Sequence, residues 1–196
     1  MQKLNTRNKI LNTAFELIYK KGFNATSIDD IIKHTSYTKG AFFHHFKTKE
    51  DLGIALISDI IKPGMEKVLI IPLITTKDPI SSIYSGIENL LLNAELFDIK
   101  YGCPAINLIE EMSPVNKRFY MHLSQIIISW ENAIEQSIEK AKQYKLIRSD
   151  IVPKEVSCFV ISGYAGIRNL GKLKGYECYN TYLEGLDKYL KSLIIN

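Results

Sequence analysis

A hydroxyl, an amine and a glycine stand side by side at positions 38–40, in Thr38, Lys39 and Gly40. Thr38 is suited to cap a helix, because its side-chain oxygen can accept a hydrogen bond from a free backbone N–H group. The N–H groups and the dipole at a helix start favour an anion, and the lysine adds positive charge. Gly40 has no side chain, so the backbone there can come close to a phosphate or a base edge. These residue types favour binding to a polyanion.

Short helices must position these groups. The spacing of apolar residues predicts helices over about 6–21, from Ile28 to about His34, and from Lys39 to about His45. Phe42 and Phe46 are expected to face inward from the third helix. The second and third helices are separated by about three residues, which is the helix-turn-helix layout. In that layout the later helix enters the major groove of DNA and the earlier one crosses the backbone.

Positive charge is concentrated near the start of the chain. Residues 1–53 hold nine Lys or Arg and five Asp or Glu, whereas the other residues hold sixteen of each. The formal net charge of +4 therefore lies in the same segment as the helix-turn-helix pattern. A basic segment attached to a neutral one is typical of proteins that meet a polyanion.

The stretch from Thr6 to Leu56 resembles the DNA-binding domain of the TetR family of bacterial transcription regulators. Three motifs carry this resemblance: Ile10-Leu11-x-x-Ala14-Phe15; Gly22-Phe23-x-Ala25-Thr26-Ser27-Ile28-x-x-Ile31; and Thr38-Lys39-Gly40-Ala41-Phe42-Phe43-His44-His45-Phe46-x-x-Lys49-Glu50-x-Leu52. The resemblance implies an all-α protein with an N-terminal helix-turn-helix domain over 1–53. It also implies a helical domain for ligand binding and dimerisation over 54–196. The expected partners are a palindromic DNA operator, a small effector and a second copy of the chain.

The resemblance also implies which residues meet DNA. Base edges are expected to be read by Tyr37, Thr38, Lys39 and Ala41. Thr26 and Ser27 are expected to touch the backbone. From their chemistry and place, Gly40, His44 and Lys49 are expected to approach the backbone as well, and Phe43 is counted among the DNA-binding residues. The family usually has a tyrosine at position 43, and Phe43 lacks the hydroxyl that would reach a phosphate. A weaker hold on the backbone, or compensation by neighbouring basic residues, is therefore expected.

Longer helices are predicted after the basic segment. A fourth helix should run from Thr48 to Ile61 and stop or kink at Pro63, and the later helices should cover 80–97, 115–146, 153–173 and a segment from about Tyr176. By resemblance, the last two helices pair with those of a second copy. Three glycines in the first of them, Gly163, Gly166 and Gly171, would let another helix come close.

An effector pocket is expected between the helices of the second domain. Its candidate residues are polar or bulky side chains on otherwise apolar faces: Met65, Tyr84, Tyr101, Cys103, Asn107, Trp130 and Phe159. A mostly apolar pocket with a few polar groups is the usual form of a small-molecule site. The sequence leaves the chemical class of the effector open.

Two alternatives remain at this point. Cys103 precedes a proline-started helix, whose dipole could lower the pKa of its thiol and make the protein an oxidant-sensing regulator. The chain could also be a helical small-molecule binding module without operator function. An enzyme is not expected, and neither a cofactor nor a metal, because the sequence has no H-E-x-x-H, C-x-x-C or Walker-type motif. Three cysteines and the absence of a long apolar segment predict a soluble cytoplasmic protein.

Overall fold

The computed structural model describes residues 2–93 and 97–195, with side chains from residue 6 onward. Its α-helices are α1 Gln2–Lys21, α2 Ile28–Lys33, α3 Lys39–His45, α4 Lys49–Leu56, α5 Lys62–Met65, α6 Ile71–Thr75, α7 Pro79–Leu92, α8 Pro104–Met112, α9 Lys117–Gln143, α10 Pro153–Lys174 and α11 Tyr176–Ser192. Within the described residues the only β-type pairing is an isolated bridge between Ile147 and Ile194. The all-α prediction is confirmed.

Side-chain caps fix where the short helices begin. Ser27 and Thr48 each accept a hydrogen bond from the backbone N–H three residues later, and the aspartate at that later position accepts from the cap. These capping boxes satisfy N–H groups that have no partner inside the helix. Gly22 ends α1 with φ +91°, which is a backbone conformation that favours glycine.

The helix predicted to stop or kink at Pro63 does not stop there. After α4 the chain continues through a π-helical segment, Ile57–Ile61, then α5, a second π-helical segment, Glu66–Ile70, and α6. Each π-helical segment ends two residues before a proline, Pro63 or Pro72. The wider π turn relieves the clash between the proline ring and an earlier carbonyl, so the helix can continue.

The other predicted helices are present, with small shifts at their ends. The helix expected over 80–97 ends at Leu92, and residues 94–96 lie outside the described part of the chain. The helix expected over 115–146 spans Lys117–Gln143, and the one expected over 153–173 spans Pro153–Lys174.

The chain forms two compact units that are not contiguous in sequence. The first combines residues 1–63 and 104–124, and the second combines residues 64–103 and 125–196. The core of the first includes Ile10, Ile31, Phe42, Leu52 and Phe119, and that of the second includes Ile87, Trp130, Ile134, Tyr164 and Tyr179. The predicted functional division after residue 53 stays a prediction, but as a packing unit the N-terminal part also includes α8 and the start of α9.

None of the described helices combines the length and the apolar character needed to cross a membrane.

Candidate nucleic-acid interface

One face of α3 is exposed along its whole length, and we call it the recognition face. It consists of Thr38, Lys39, Gly40, Phe43 and His44. Thr38 is the N-cap, and its side-chain oxygen accepts a hydrogen bond from the N–H of Ala41 at 3.3 Å. Five of the predicted DNA-contacting residues are thereby brought together, and Tyr37 and Ala41 lie half-buried at its edge.

The opposite face of α3 anchors the helix in the first unit. Phe42 and Phe46 are buried as predicted, with their ring centroids 5.6 Å apart. The guanidinium of Arg7 lies 5.3 Å from the centre of the Phe46 ring. Burying each phenylalanine contributes roughly 1.5–3 kcal/mol, which is enough to hold a seven-residue helix that would not be stable alone.

Lys39 makes an ion pair that water can easily replace. Its ammonium nitrogen lies 2.6 Å from the Oδ1 atom of Asp29 on α2, and both side chains are more than half exposed. An exposed pair of this kind contributes about 0–1 kcal/mol. Lys39 can therefore exchange Asp29 for a phosphate at little cost.

Gly40 is not required by the protein's own packing. A Cβ atom added there would meet only the Thr38 hydroxyl, at 3.6 Å, which is an ordinary van der Waals distance. The residue lies inside a helix and does not have positive φ, so alanine would be the better helix former. The chain's own packing therefore gives no reason for a glycine at this exposed position.

Phe43 and His44 complete the recognition face. The Phe43 ring packs edge-on against the buried Phe42, with centroids 5.3 Å apart, and half of the residue's surface stays exposed. It offers an apolar surface where a tyrosine would offer a hydroxyl. The exposed His44 ring lies beside that of His45, with centroids 5.0 Å apart.

Thr26 and Ser27 were both expected to contact the DNA backbone, but the structure buries Thr26 and exposes Ser27. Thr26 is fully buried, and its hydroxyl donates to the carbonyl of Gly22 at 2.8 Å. Its side chain is therefore a brace inside the α1–α2 loop and does not present an atom to a phosphate. Ser27 is exposed at the start of α2, where the N–H groups of a helix N-terminus are also found.

Lys49 points into the protein as well. Its ammonium group donates to the carbonyls of Phe23 at 2.9 Å and Thr26 at 3.0 Å, with Asn24 at 3.5 Å, and it lies 4.5 Å from the centre of the Phe23 ring. Partial burial lowers the pKa of Lys49, opposed by the nearby negative charge of Glu111. The phosphate contact predicted for Lys49 stays a prediction. The structure adds a positioning role that the sequence did not indicate.

Glu111 holds the same loop from the other side. Its carboxylate accepts hydrogen bonds from the N–H groups of Phe23 at 2.8 Å and Asn24 at 2.7 Å. In the loop from Gly22 to Thr26, the carboxylate of Glu111 therefore accepts from backbone N–H groups, and the ammonium group of Lys49 donates to backbone carbonyls. We call Glu111 and Lys49 the loop clamp. Since α2 begins directly after this loop, the clamp fixes where the helix-turn-helix starts.

The start of α4 is tied to α9 in a similar way. Arg118 donates to Glu50 at 2.8 Å and to Asp51 at 3.0 Å. Hydrogen bonds from Thr48 and then from Arg118 lower the pKa of Asp51. Arg118 therefore fixes the two residues that follow Lys49, and all of these residues belong to the first unit.

Family models match both parts of the chain. Residues 10–56 match the model described as bacterial regulatory proteins of the tetR family, and residues 79–181 match a tetracyclin repressor-like C-terminal domain. The second match alone covers more than half of the chain. The protein belongs to the TetR family. The resemblance stated on the helix-turn-helix motifs is confirmed.

Individual relatives agree with this assignment. An uncharacterized HTH-type transcriptional regulator of Lactococcus lactis is 31% identical over 68% of this chain and 68% of its own length. The transposon Tn10 TetC protein of Escherichia coli is 30% identical over 76% of this chain and 73% of its own length. The crystal structure of a TetR-family regulator from Cytophaga hutchinsonii has a TM-score of 0.89 at 21% identity, covering 100% of this chain and 98% of that one. This last likeness shows the shared TetR fold.

The predicted effector residues of this TetR-family protein do not all come together. Met65, Tyr84, Tyr101, Cys103, Trp130 and Phe159 lie in the second unit, whereas Asn107 lies in the first. Met65 and Trp130 are buried, and Tyr84 and Tyr101 are half-buried. The ring of Phe159 contacts that of Tyr189, and 49% of the Phe159 surface is exposed. A cavity beside Trp130 has room for about one water molecule. The effector pocket stays a prediction, and Phe159 occupies an exposed helix face.

Cys103 is buried, with 1% of its surface exposed. A thiol that senses oxidants needs access to solvent as well as a lowered pKa. The thiol-switch alternative therefore gains no support from this position.

Proposed function

We propose that this protein is a ligand-responsive repressor. It binds a palindromic DNA operator as a homodimer and is released when a small effector binds the second unit. TetR-family regulators in general bind operators as dimers and bind small-molecule effectors. Because the proposed partner is DNA, we propose that the protein works in the cytoplasm.

The observation that carries the proposal is the recognition face. A capped helix of seven residues presents a lysine and a glycine outward, and the glycine is not required by the chain itself. The N-terminal part of a recognition helix is the part that reaches base edges in the major groove. Two copies related by a two-fold axis would read two half-sites spaced by whole helical turns.

Selection of bound DNA from a random pool, with the purified full chain, tests this function. We expect an enriched near-palindrome with two half-sites. An enriched site without two-fold symmetry would contradict the dimeric mode of binding. Enrichment of no sequence would favour the alternative of a helical binding module without operator function.

Lys39→Ala is expected to weaken binding to the selected site and to reduce its dependence on salt. The slope of log K against log salt concentration should fall by about 0.9 for each phosphate that the variant no longer neutralises. Fluorescence anisotropy at several salt concentrations measures both effects. Lys140→Ala makes the same charge change at an exposed position near the end of α9 and should leave the slope unaltered. Equal slopes for Lys39→Ala and the unmodified protein would contradict the docking.

The proposed dimer uses α10 and α11. These helices leave several large apolar side chains exposed: Val152 just before α10, Phe159, Leu170 and Leu173 on α10, and Tyr176 at the start of α11. An apolar surface of this kind typically marks an interaction site. Two of the three glycines expected to admit a helix of the second copy instead make room for α11 of the same chain. A Cβ atom at Gly163 would overlap Tyr182, and one at Gly171 would overlap Tyr179. Gly166 has open space around it.

Phe159→Glu is expected to convert the dimer into a monomer. A carboxylate placed in an apolar interface loses its hydration without gaining a partner. Multi-angle light scattering after size-exclusion chromatography measures the mass in solution. Tyr144→Glu, at an aromatic residue that is 73% exposed and lies outside α10 and α11, should remain dimeric. A Phe159→Glu protein that stays dimeric at micromolar concentration would place the interface elsewhere.

A further inference from the structure

Arg168 is a fully buried cation at the centre of the second unit. None of its surface is exposed. One terminal nitrogen of its guanidinium donates to the carbonyl of Leu90 at 3.2 Å and the other donates to the carbonyl of Gly102. The guanidinium carbon lies 5.5 Å from the centre of the Phe97 ring and 5.7 Å from that of Tyr179. Carbonyl oxygens and ring faces attract the positive charge, but they do not neutralise it.

No carboxylate among the described residues makes an ion pair with Arg168, and its Nε–H group has no hydrogen-bond partner there. Burying an unpaired charge is costly, and a guanidinium does not release its proton to avoid that cost. Buried charges in proteins are ordinarily paired. Among the described residues, Arg168 therefore lacks the anionic partner that a buried charge ordinarily has.

Two buried tyrosine hydroxyls near Arg168 make no hydrogen bond of good geometry among the described residues, although that of Tyr164 lies close to Cys103 and that of Tyr179 close to Arg168 itself. Tyr164 lies one helical turn before Arg168 on α10, and its ring packs edge-on against Trp130 at 5.6 Å. Tyr179 on α11 places its ring beside the guanidinium. Burial raises the pKa of the Tyr164 hydroxyl well above its usual range and also raises that of Tyr179. Both hydroxyls keep their protons near neutral pH and are available as donors.

We propose that Arg168, Tyr164 and Tyr179 form the binding site for the anionic group of the effector, and that the effector is a small organic carboxylate. This inference rests on the proposed function, which supplies an effector. An arginine N–H group and phenol O–H groups are donors suited to carboxylate oxygens. Since the cavity beside Trp130 has room for only about one water molecule, the rings of Trp130, Phe97 and Tyr179 must move apart to admit the apolar body of such an acid. A neutral or cationic effector would not supply the charged partner that Arg168 lacks among the described residues.

Thermal unfolding of the full chain tests the site with acids and their matched amides. Acetate, benzoate and phenylacetate are compared with acetamide, benzamide and phenylacetamide, and inorganic phosphate is added as a separate arm. At about one hundred times its dissociation constant, a bound carboxylate should raise the melting temperature by about 5–10 °C. The amides should not raise it. Stabilisation by phosphate alone would overturn the organic carboxylate, and stabilisation by none of the anions would overturn the site.

Variants assign the effect to Arg168. Arg168→Met should abolish the shift, and Arg168→Lys, which keeps the charge but loses the planar fork, should retain a smaller one. Arg148→Met removes an exposed arginine that pairs with Asp150 in the same unit, and it should keep the full shift. If Arg168→Met fails to fold, the shift in melting temperature of Arg168→Lys, compared with that of the unmodified protein, still tests the assignment. An unreduced shift in either Arg168 variant would overturn the assignment.

Operator binding measured on the same samples separates this inference from the proposed function. A carboxylate that binds through Arg168 and releases DNA supports both. A carboxylate that binds through Arg168 without releasing DNA supports the anion site and contradicts effector-driven release. An amide that releases DNA while no carboxylate binds overturns the anion site and leaves the proposed repressor in place.

Discussion

Gly40→Ala is expected to leave the protein folded and to lower its affinity for the operator by tenfold or more, which corresponds to about 1.4 kcal/mol. The added methyl group meets no protein atom closer than 3.6 Å. Because alanine is the better helix former, the free energy of unfolding should stay the same or rise by up to about 1 kcal/mol. The methyl group instead keeps the backbone of α3 away from the DNA. Chemical denaturation and fluorescence anisotropy measure the two quantities.

A matched control separates local stability from DNA contact. Gly64→Ala makes the same change at an exposed helical position in α5, outside α10 and α11, that also has open space around it. It should gain similar stability and keep its affinity. If Gly40→Ala bound the operator as well as the unmodified protein, the recognition face would not be the surface that approaches DNA.

Glu111→Ala is expected to lower the free energy of unfolding of the protein by about 2 kcal/mol and to weaken operator binding several-fold. The change removes two charge-assisted hydrogen bonds, at 2.8 and 2.7 Å, from the N–H groups of Phe23 and Asn24. With half of the loop clamp gone, α2 no longer starts from a fixed place. Denaturation in urea measures the first effect, and anisotropy at constant salt measures the second.

Glu16→Ala serves as the comparison for Glu111→Ala. It removes the same charge from an exposed side chain whose partner is Lys20, four residues later on α1, at 3.7 Å. Little change in stability is expected from such a pair. Glu111→Gln keeps an acceptor oxygen and should fall between the two. A Glu111→Ala protein as stable as Glu16→Ala would show that Lys49 holds the loop alone.

The starts of α2, α3 and α4 could be predicted because their causes are local. Apolar spacing, a hydroxyl cap and an acidic residue three positions later all lie within one or two turns of the chain. Ser27 and Thr48 therefore begin capping boxes where expected, and Phe42 and Phe46 are buried where expected. The recognition face follows from the same short-range pattern.

The loop clamp could not be predicted, because its partners are far apart in sequence. Glu111 and Phe23 are separated by 88 residues, and nothing local to either indicates the pairing. Thr26 shows the converse problem. Its hydroxyl has the chemistry of a phosphate ligand, yet burial turns it to the carbonyl of Gly22.

Whether a side chain is buried cannot be predicted from its residue type when tertiary packing decides it. Arginine side chains are mostly exposed in proteins, whereas the structure buries Arg168 completely. Phe159 is the opposite case, since an aromatic residue expected in a pocket lies on an exposed face. Amphipathic spacing tells which residues share a side of a helix, but it does not tell what that side meets.

The two π-helical segments have a consequence for the register of the chain. Buried residues recur every four positions at Ile57, Ile61, Met65, Leu69 and Leu73. An α-helix of 3.6 residues per turn would carry such a four-residue repeat gradually around its axis. Turns that take in an additional residue cancel that drift, so the apolar stripe runs parallel to the axis. Deleting a single residue between 57 and 70 would rotate every later side chain by about a quarter turn, even if the helix itself survived.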